Sequence, residues 1–139
     1  MGQKIRDVMT PDPVTCDAEA TVRTAARAMK DHAIGDVLIM DGGRLCGVLT
    51  DRDLVVRVMA EGRDTDTPLR EVCSSDVVTL SPDDDADKAV RMITERAVRR
   101  IPIVEKDSVV GVVTIGDLAM ERDAHSALAT LSAAPPNNR

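Results

Sequence analysis

The sequence predicts an α/β (α+β) fold built from two copies of one β-α-β-β-α unit, and three observations predict it. "GVLTDRDL" at 47–54 returns sixty-four residues later as "GVVTIGDL" at 111–118. In both halves, short aliphatic runs alternate with stretches of helical period. Polar stretches bearing Gly, Pro or Asp punctuate those runs at matching places.

The repeat extends far beyond the quoted stretch without a gap. Ile5, Arg6 and Val8 return as Leu69, Arg70 and Val72. Asp12, Val14 and Thr15 return as Asp76, Val78 and Thr79, and Ala25, Arg27, Ala33 and Ile39 as Ala89, Arg91, Ala97 and Ile103. Identity held at one offset over most of the chain means duplication, and two copies mean a paired module rather than a solenoid. The copies are expected at 1–60 and 69–125. "EGRDTDTP" (61–68) is a polar linker with Gly and Pro, and 126–139 is a frayed tail ending in small and Pro-rich sequence.

Each copy opens on a helical turn. "VTC" (14–16) then reads as a short strand, and "TVRTAARAMKDH" (21–32) as a helix with Val22, Ala25, Ala26 and Met29 on one stripe and Gly35 past its end. "DVLIM" (36–40) and "RLCGVLT" (44–50) are apolar runs suited to buried strands, joined by a hairpin at Asp41-Gly42-Gly43. "DRDLVVRVMAEG" (51–62) closes the unit as a helix ending at Gly62. The second copy gives "VVTL", "DADKAVRMITER", "RIPIV", "SVVGVVT" and "IGDLAMERDAH" in the same roles.

Composition excludes several functions. The chain has 43% hydrophobic residues but no Phe, Tyr or Trp, so its core must be aliphatic and no aromatic platform exists for single-stranded nucleic acid. A net charge of −6 opposes attraction to phosphate backbones or anionic lipid. No apolar run is long enough to span a bilayer, and the opening MGQKIRDVM lacks a secretory apolar region, so a soluble cytoplasmic protein is expected. Cys16, Cys46 and Cys73 are odd in number and widely spaced, and are expected as buried, reduced thiols on strands or helices. His32 and His125 are expected at the surface, with no metal site. The acids of "PDDDAD" (82–87) lack the Gly and terminal Glu of a calcium loop and read as a helix entry.

Thr50 and Asp53, like Thr114 and Asp117, have the spacing of a capping box: Thr caps the helix and Asp reaches back to the cap amide. The same strand-to-helix junction offers a second use. Its amides and dipole suit phosphate, and a carboxylate beside them suits the two hydroxyls of a ribose. Gly47 and Gly111, just before the junction, admit the close approach of a ligand or of another backbone. These parts together read as one nucleoside phosphate site per copy.

With "GVLTDRDL", "GVVTIGDL" and "VRRIPIV", the chain resembles the cystathionine-β-synthase (CBS) domain in its tandem form, the Bateman module, over roughly residues 3 to 122. The resemblance implies two β-α-β-β-α units packed by their sheets with pseudo-twofold symmetry, leaving two clefts. In many members the clefts hold AMP, ADP, ATP, S-adenosylmethionine or relatives. The family's ribose-binding Asp falls on Asp53 and Asp117 and its Thr on Thr50 and Thr114. Its base-holding positions fall on Val14, Thr15, Val78, Thr79, Arg100, Ile101 and Pro102. Arg52, Arg99 and Arg100 are candidates for phosphate and equally for solvated or salt-bridged arginines. The copies differ: Leu38 replaces Pro102, Asp36 stands where Arg100 stands, and Gly116 replaces Arg52. With no aromatic side chain to stack adenine, affinity is expected to be micromolar or weaker.

The function expected from this resemblance is a sensor or regulatory module for an adenosine effector, with no required cofactor and no catalytic residues. No Ser/His/Asp or Cys/His set is legible, and an enzyme using Asp51 with Asp53 would have the pair only once, because Ile115 stands at Asp51's position. The alternative is an interaction module with vestigial clefts. Leu54, Val55, Val58 and Met59, with Leu118 and Met120, are expected to present aliphatic helix faces for a disc-shaped homodimer. An unidentified regulated protein is the further partner, with nucleic acid and membrane excluded.

Overall fold

The computed structural model describes residues 2–122. The elements are α1 (Ile5–Val8), β1 (Thr10–Pro11), β2 (Thr15–Asp17), α2 (Val22–His32), β3 (Asp36–Asp41), β4 (Arg44–Thr50), α3 (Asp51–Asp53), α4 (Ala86–Arg96), β5 (Arg100–Glu105), β6 (Ser108–Thr114) and α5 (Ile115–Arg122). They form two three-stranded sheets, ordered β2-β3-β4 and β1-β6-β5.

Two compact units divide the chain at places other than the ends of the repeats. One runs from Pro13 to Val77; the other joins residues up to Asp12 with residues from Val78 onward. Each lead-in therefore packs on the body of the other copy. Ile5 and Leu69, both fully buried, are the anchors. Ile5 N–H donates to the Asp84 carbonyl at 2.9 Å and Arg6 N–H to the Pro82 carbonyl at 3.0 Å. Leu69 and Arg70 repeat this on the carbonyls of Ala20 (2.8 Å) and Ala18 (3.0 Å). Arg6 pairs with Asp83, while Arg70 pairs with Glu19 and Asp41.

The lead-ins also extend the sheets. β1 pairs antiparallel with β6, placing Thr10 opposite Val112, and Ser74 forms the equivalent bridge to Val48. The added chain explains the two junction glycines. A Cβ on Gly47 would overlap the Ser74 oxygen, and one on Gly111 would sit 2.8 Å from the Thr10 oxygen. In each case the close approach is the protein's own backbone.

Both cores are aliphatic. Val22, Ala25, Met29, Val37, Ile39, Leu49, Val58 and Leu69 fill one; Ile5, Ala89, Ile93, Ile101, Ile103, Val113 and Leu118 fill the other. No polar or charged residue is buried among the described residues. Ala26, expected on the buried stripe of α2, faces solvent. Val58 and Leu118, expected on outer faces, belong to the cores; Val55, Val56 and Met59 are the exposed aliphatics of the first copy. The Met120 side chain lies outside the described residues, as do His125 and the tail expected at 126–139.

Four local expectations change. The helix after Thr50 is one α-turn that widens into a π-helix over Leu54–Met59, closed by Ala60 N–H on the Val55 carbonyl at 2.8 Å. α2 ends on Ala33 in the left-handed region (φ 54°), with Ile34 N–H on the Met29 carbonyl, so the cap precedes Gly35 by two residues. "VVTL" is not a strand and contributes only the bridge Leu80–Ile103. The cause is a pair of prolines: in the other copy Leu38 N–H donates to the Val14 carbonyl at 3.2 Å and Ala18 N–H to the Met40 carbonyl at 2.7 Å, whereas Pro102 has no N–H to give Val78 and Pro82 none to give Val104. Finally, Cys73 lies in a bend rather than on a strand or helix, and Cys46 and Cys73 are only half-buried, unlike Cys16.

The acids of 82–87 are structural, as expected, but they act through ion pairs as much as through the helix entry. Asp85 pairs with Lys4 at 2.9 Å and Asp84 with Lys88 at 3.7 Å, while Asp84 also accepts from Ser81 N–H at 2.8 Å. The described residues contain no group of three or more His, Cys, Asp or Glu placed to hold a metal ion. His32 is exposed.

Candidate functional site

The strand-to-helix junction is built alike in both units. A buried strand ends at a Thr whose extended backbone (φ −105°, ψ 165° at Thr50) cannot continue the following helix. Its hydroxyl then serves as the cap. Thr50 Oγ1 accepts from Asp53 N–H at 3.0 Å, and Asp53 Oδ2 accepts from Thr50 N–H at 2.9 Å. Thr114 and Asp117 repeat the reciprocal pair, both bonds at 3.0 Å. The capping box is thus complete twice.

The leading amides are largely consumed. Asp51 N–H donates to the Gly35 carbonyl at 2.8 Å and Ile115 N–H to the Arg99 carbonyl at 3.3 Å. With the third amide held by Thr, little free backbone remains at the junction to bind an anion. Arg52 and Arg99 are exposed, and Arg100 is half-buried at the start of β5, opposite Thr114.

The carboxylates keep one oxygen outside the box. Asp53 is half-buried, and its Oδ1 lies 3.6 Å from Arg57 Nε. Arg57 also donates to the Val72 carbonyl at 3.2 Å. Asp117 is approached instead by the Thr10 hydroxyl, at 3.4–3.5 Å. Neither Arg57 nor Thr10 is legible as a site residue from the Thr-x-x-Asp pattern. Arg57 carried a signal, since it follows Asp53 at i,i+4; Thr10 carried none, being 107 residues from its partner.

The other candidates fall at the same sheet ends. In one unit, Thr15 pairs with Leu38, and Asp36 pairs with Thr50, bringing Val14 and Thr15 to the end that carries Asp53. In the other, Val78 and Thr79 lead into the Leu80 bridge beside Ile101 and Pro102, and Arg100 pairs with Thr114. Thr15 and Thr79 are exposed; Ile101 and Pro102 are buried.

Two copies of a small α/β unit, each with a capped junction holding a half-buried carboxylate, define a paired module with one polar site per copy. The CBS domain model matches residues 5–60 and 69–123, and the chain belongs to the CBS domain family. It is 37% identical over 132 residues to the CBS domain-containing protein YhcV of Bacillus subtilis (strain 168), covering 92% of this chain and 94% of that one. Hypoxic response protein 1 of Mycobacterium tuberculosis is 34% identical, over 87% of this chain and 86% of its own. A crystal structure of Hypoxic Response Protein I with two coordinated zinc ions superposes with a TM-score of 0.80 at 29% identity, covering 87% and 100% of the two chains. The CBS domain pair of protein MJ0100, crystallised with 5′-methylthioadenosine and S-adenosyl-L-methionine, shares the fold with a TM-score of 0.75 at 23% identity, covering 86% and 94%.

Proposed function

We propose that this protein is a regulatory module that binds an adenosine compound, in the class of AMP, ADP, ATP or S-adenosylmethionine, and catalyses nothing itself. CBS pairs generally bind adenosine ligands, and stand-alone members are generally regulatory. The observation that carries the reading is the division of labour at Asp53 and Asp117. In each, Oδ2 serves the helix cap while Oδ1 lies outside it, held only loosely by Arg57 at 3.6 Å in one copy and by the Thr10 hydroxyl at 3.5 Å in the other, contacts that a ligand hydroxyl can displace. A ribose supplies two adjacent hydroxyls for such an acid.

Pro102 adds support for the base. Because it cannot donate to Val78, the Val78 carbonyl is relieved of the ladder bond that occupies Val14, and suits the amino group of adenine. Arg52, Arg99 and Arg100 are the cations for any phosphate. The proposed effector is exchanged rather than retained as a cofactor, and the proposed assembly is a homodimer acting on a separate regulated protein. No helix among the described residues is long and apolar enough to cross a membrane.

Thermal unfolding against AMP, ADP, ATP, S-adenosylmethionine and GTP tests this. A ligand held only by the folded state at about 100 times its dissociation constant adds about 2.7 kcal/mol. The adenosine compounds are expected to raise the melting temperature and GTP to do less. A flat response to all of them at millimolar concentration overturns the reading. A second reading, an oligomerisation module with unused sites, is favoured by the exposed Val55, Val56 and Met59, and would give that flat response together with a stable oligomer.

A further inference from the structure

We propose that Cys46 and Cys73 form a dithiol site, oxidised to an intramolecular disulfide by low-molecular-weight disulfides of the glutathione type. The two cysteines are 27 positions apart in sequence. Three features bring them together. Val48 and Ser74 exchange both backbone hydrogen bonds, each at 3.0 Å, which pins the residue after Cys73 to β4. β4 carries a bulge: Ile39 pairs with Gly47 but Met40 pairs with Leu45, leaving Cys46 as the unpaired residue. A bulge re-aims its side chain, and here it turns Cys46 out of the alternation of the strand. Between them stands Gly47, where a Cβ would come within 2.9 Å of Cys73 Sγ.

The thiols sense each other. Burial raises the Cys73 pKa most, and the neighbouring Cys46, by its charge and by a hydrogen bond between the side chains, raises it further. Both are half-buried and so within reach of a small oxidant. Cys16 is excluded from the pair: it is buried and lies opposite Ile39, which lies opposite Gly47, so two strand spacings, roughly 10 Å, separate it from β4. The other unit has the same bulge and the same close approach, but with Val110 and Met9 in place of the thiols. The site therefore occurs in only one of the two copies.

The chemistry balances by two exchanges. One Cys thiolate attacks glutathione disulfide, forming a mixed disulfide and releasing one glutathione thiolate. The second Cys thiolate attacks the protein sulfur of that mixed disulfide, forming the Cys46–Cys73 bond and releasing the second. Two protein thiols are oxidised as one glutathione disulfide is reduced to two glutathiones. The proposal is independent of what the Thr-Asp junctions bind.

The test is equilibration of wild type, Cys16→Ser, Cys46→Ser and Cys73→Ser with glutathione disulfide at mildly alkaline pH, followed by thiol trapping, intact mass and peptide mapping. Wild type and Cys16→Ser are expected to lose the mass of two hydrogens and yield one linked peptide containing Cys46 and Cys73. Cys46→Ser and Cys73→Ser are expected to stop at a single glutathione adduct. The oxidised wild type should melt several degrees higher than the reduced protein, reversibly with dithiothreitol, because a loop of that length is closed. Three free thiols persisting in wild type, a stable mixed disulfide, a bridge involving Cys16, or a bridge between molecules would each overturn the proposal.

Discussion

Arg57 holds Asp53 and the Val72 carbonyl at once, with Nε 3.6 Å from Oδ1 and Nη1 3.2 Å from the carbonyl oxygen. The second copy has Glu121 at the corresponding position, so this clamp belongs to one junction only. Asp53 thus already faces a cation, whereas Asp117 meets a hydroxyl, Thr10.

Arg57→Ala should release Asp53 Oδ1. Stability is expected to fall by about 1 kcal/mol, since the ion pair is half-exposed and the carbonyl bond modest. Adenosine, which carries no phosphate for an arginine to hold, should bind severalfold tighter. Calorimetry showing weaker adenosine binding would make Arg57 part of the ligand contacts instead.

Asp117 separates cap from ligand. Asp117→Ala removes the carboxylate arm of the box, costing about 0.5–2 kcal/mol of stability, and should weaken nucleotide binding roughly tenfold to a hundredfold. Asp117→Asn still accepts from Thr114 N–H and should keep most of the stability while losing most of the affinity. If both variants bind nucleotide as wild type does and only melt earlier, Thr114 and Asp117 are a capping box and nothing more.

The glycines should split in sign. Gly47→Ala forces a Cβ onto the Ser74 oxygen, and Gly111→Ala onto the Thr10 oxygen and Met9. Each is expected to lose about 1–3 kcal/mol, Gly47→Ala the more. A Cβ on Gly116 meets nothing nearer than Thr114 Oγ1 at 3.6 Å. Gly116→Ala should gain up to about 1 kcal/mol from helix propensity. Denaturant midpoints check the order.

The outer face of the π-helix tests assembly. Val55→Glu with Met59→Glu, both at exposed positions, should convert the proposed homodimer to a folded monomer by light scattering. Val58→Glu, one position from the same face but buried, should unfold the chain instead. A monomeric wild type at micromolar concentration would remove the dimer.

Alkaline pH should be felt through sulfur. Burial pushes the Cys16 and Cys73 thiols up, so folding favours their neutral forms. That stability is fully present below the ordinary thiol value of about 8.5 and is lost as pH rises through the raised folded values. Under reductant, the gap in stability between wild type and Cys16→Ala with Cys73→Ala should therefore shrink above about pH 9. A pH-independent gap would contradict the shifts.

The strands, hairpin and junction boxes were legible because they rest on local pattern: period, turn residues, Thr and Asp three apart. The packing of the lead-ins was not. Ile5 and Leu69, or Arg6 and Arg70, are equivalent letters, and each would satisfy either copy's carbonyls and acids equally well on paper. Pattern says that a partner exists, not which copy supplies it. The cap at Ala33 was hidden for another reason: a left-handed alanine contradicts the preference that pointed to Gly35. The broken strand at 78–80 was readable from Pro102, whose missing donor a ladder cannot ignore. Of the site, the two carboxylates were legible and their neighbours were not: Thr10 meets Asp117 across 107 residues, and the i,i+4 spacing of Arg57 from Asp53 is equally that of an ordinary surface pair.

The exchanged lead-ins also bear on how the chain is made. Thr10 and Pro11 are synthesised about a hundred residues before their partner strand β6. Until then Ile5 has no core to enter, and the first body lacks Leu69 while the linker is still being synthesised. The first unit able to close is therefore residues 13–77 rather than the first copy, and the other unit must wait for β6. A proteolytic cut within 61–68 should for the same reason leave two fragments that remain associated, each carrying the segment that completes the other.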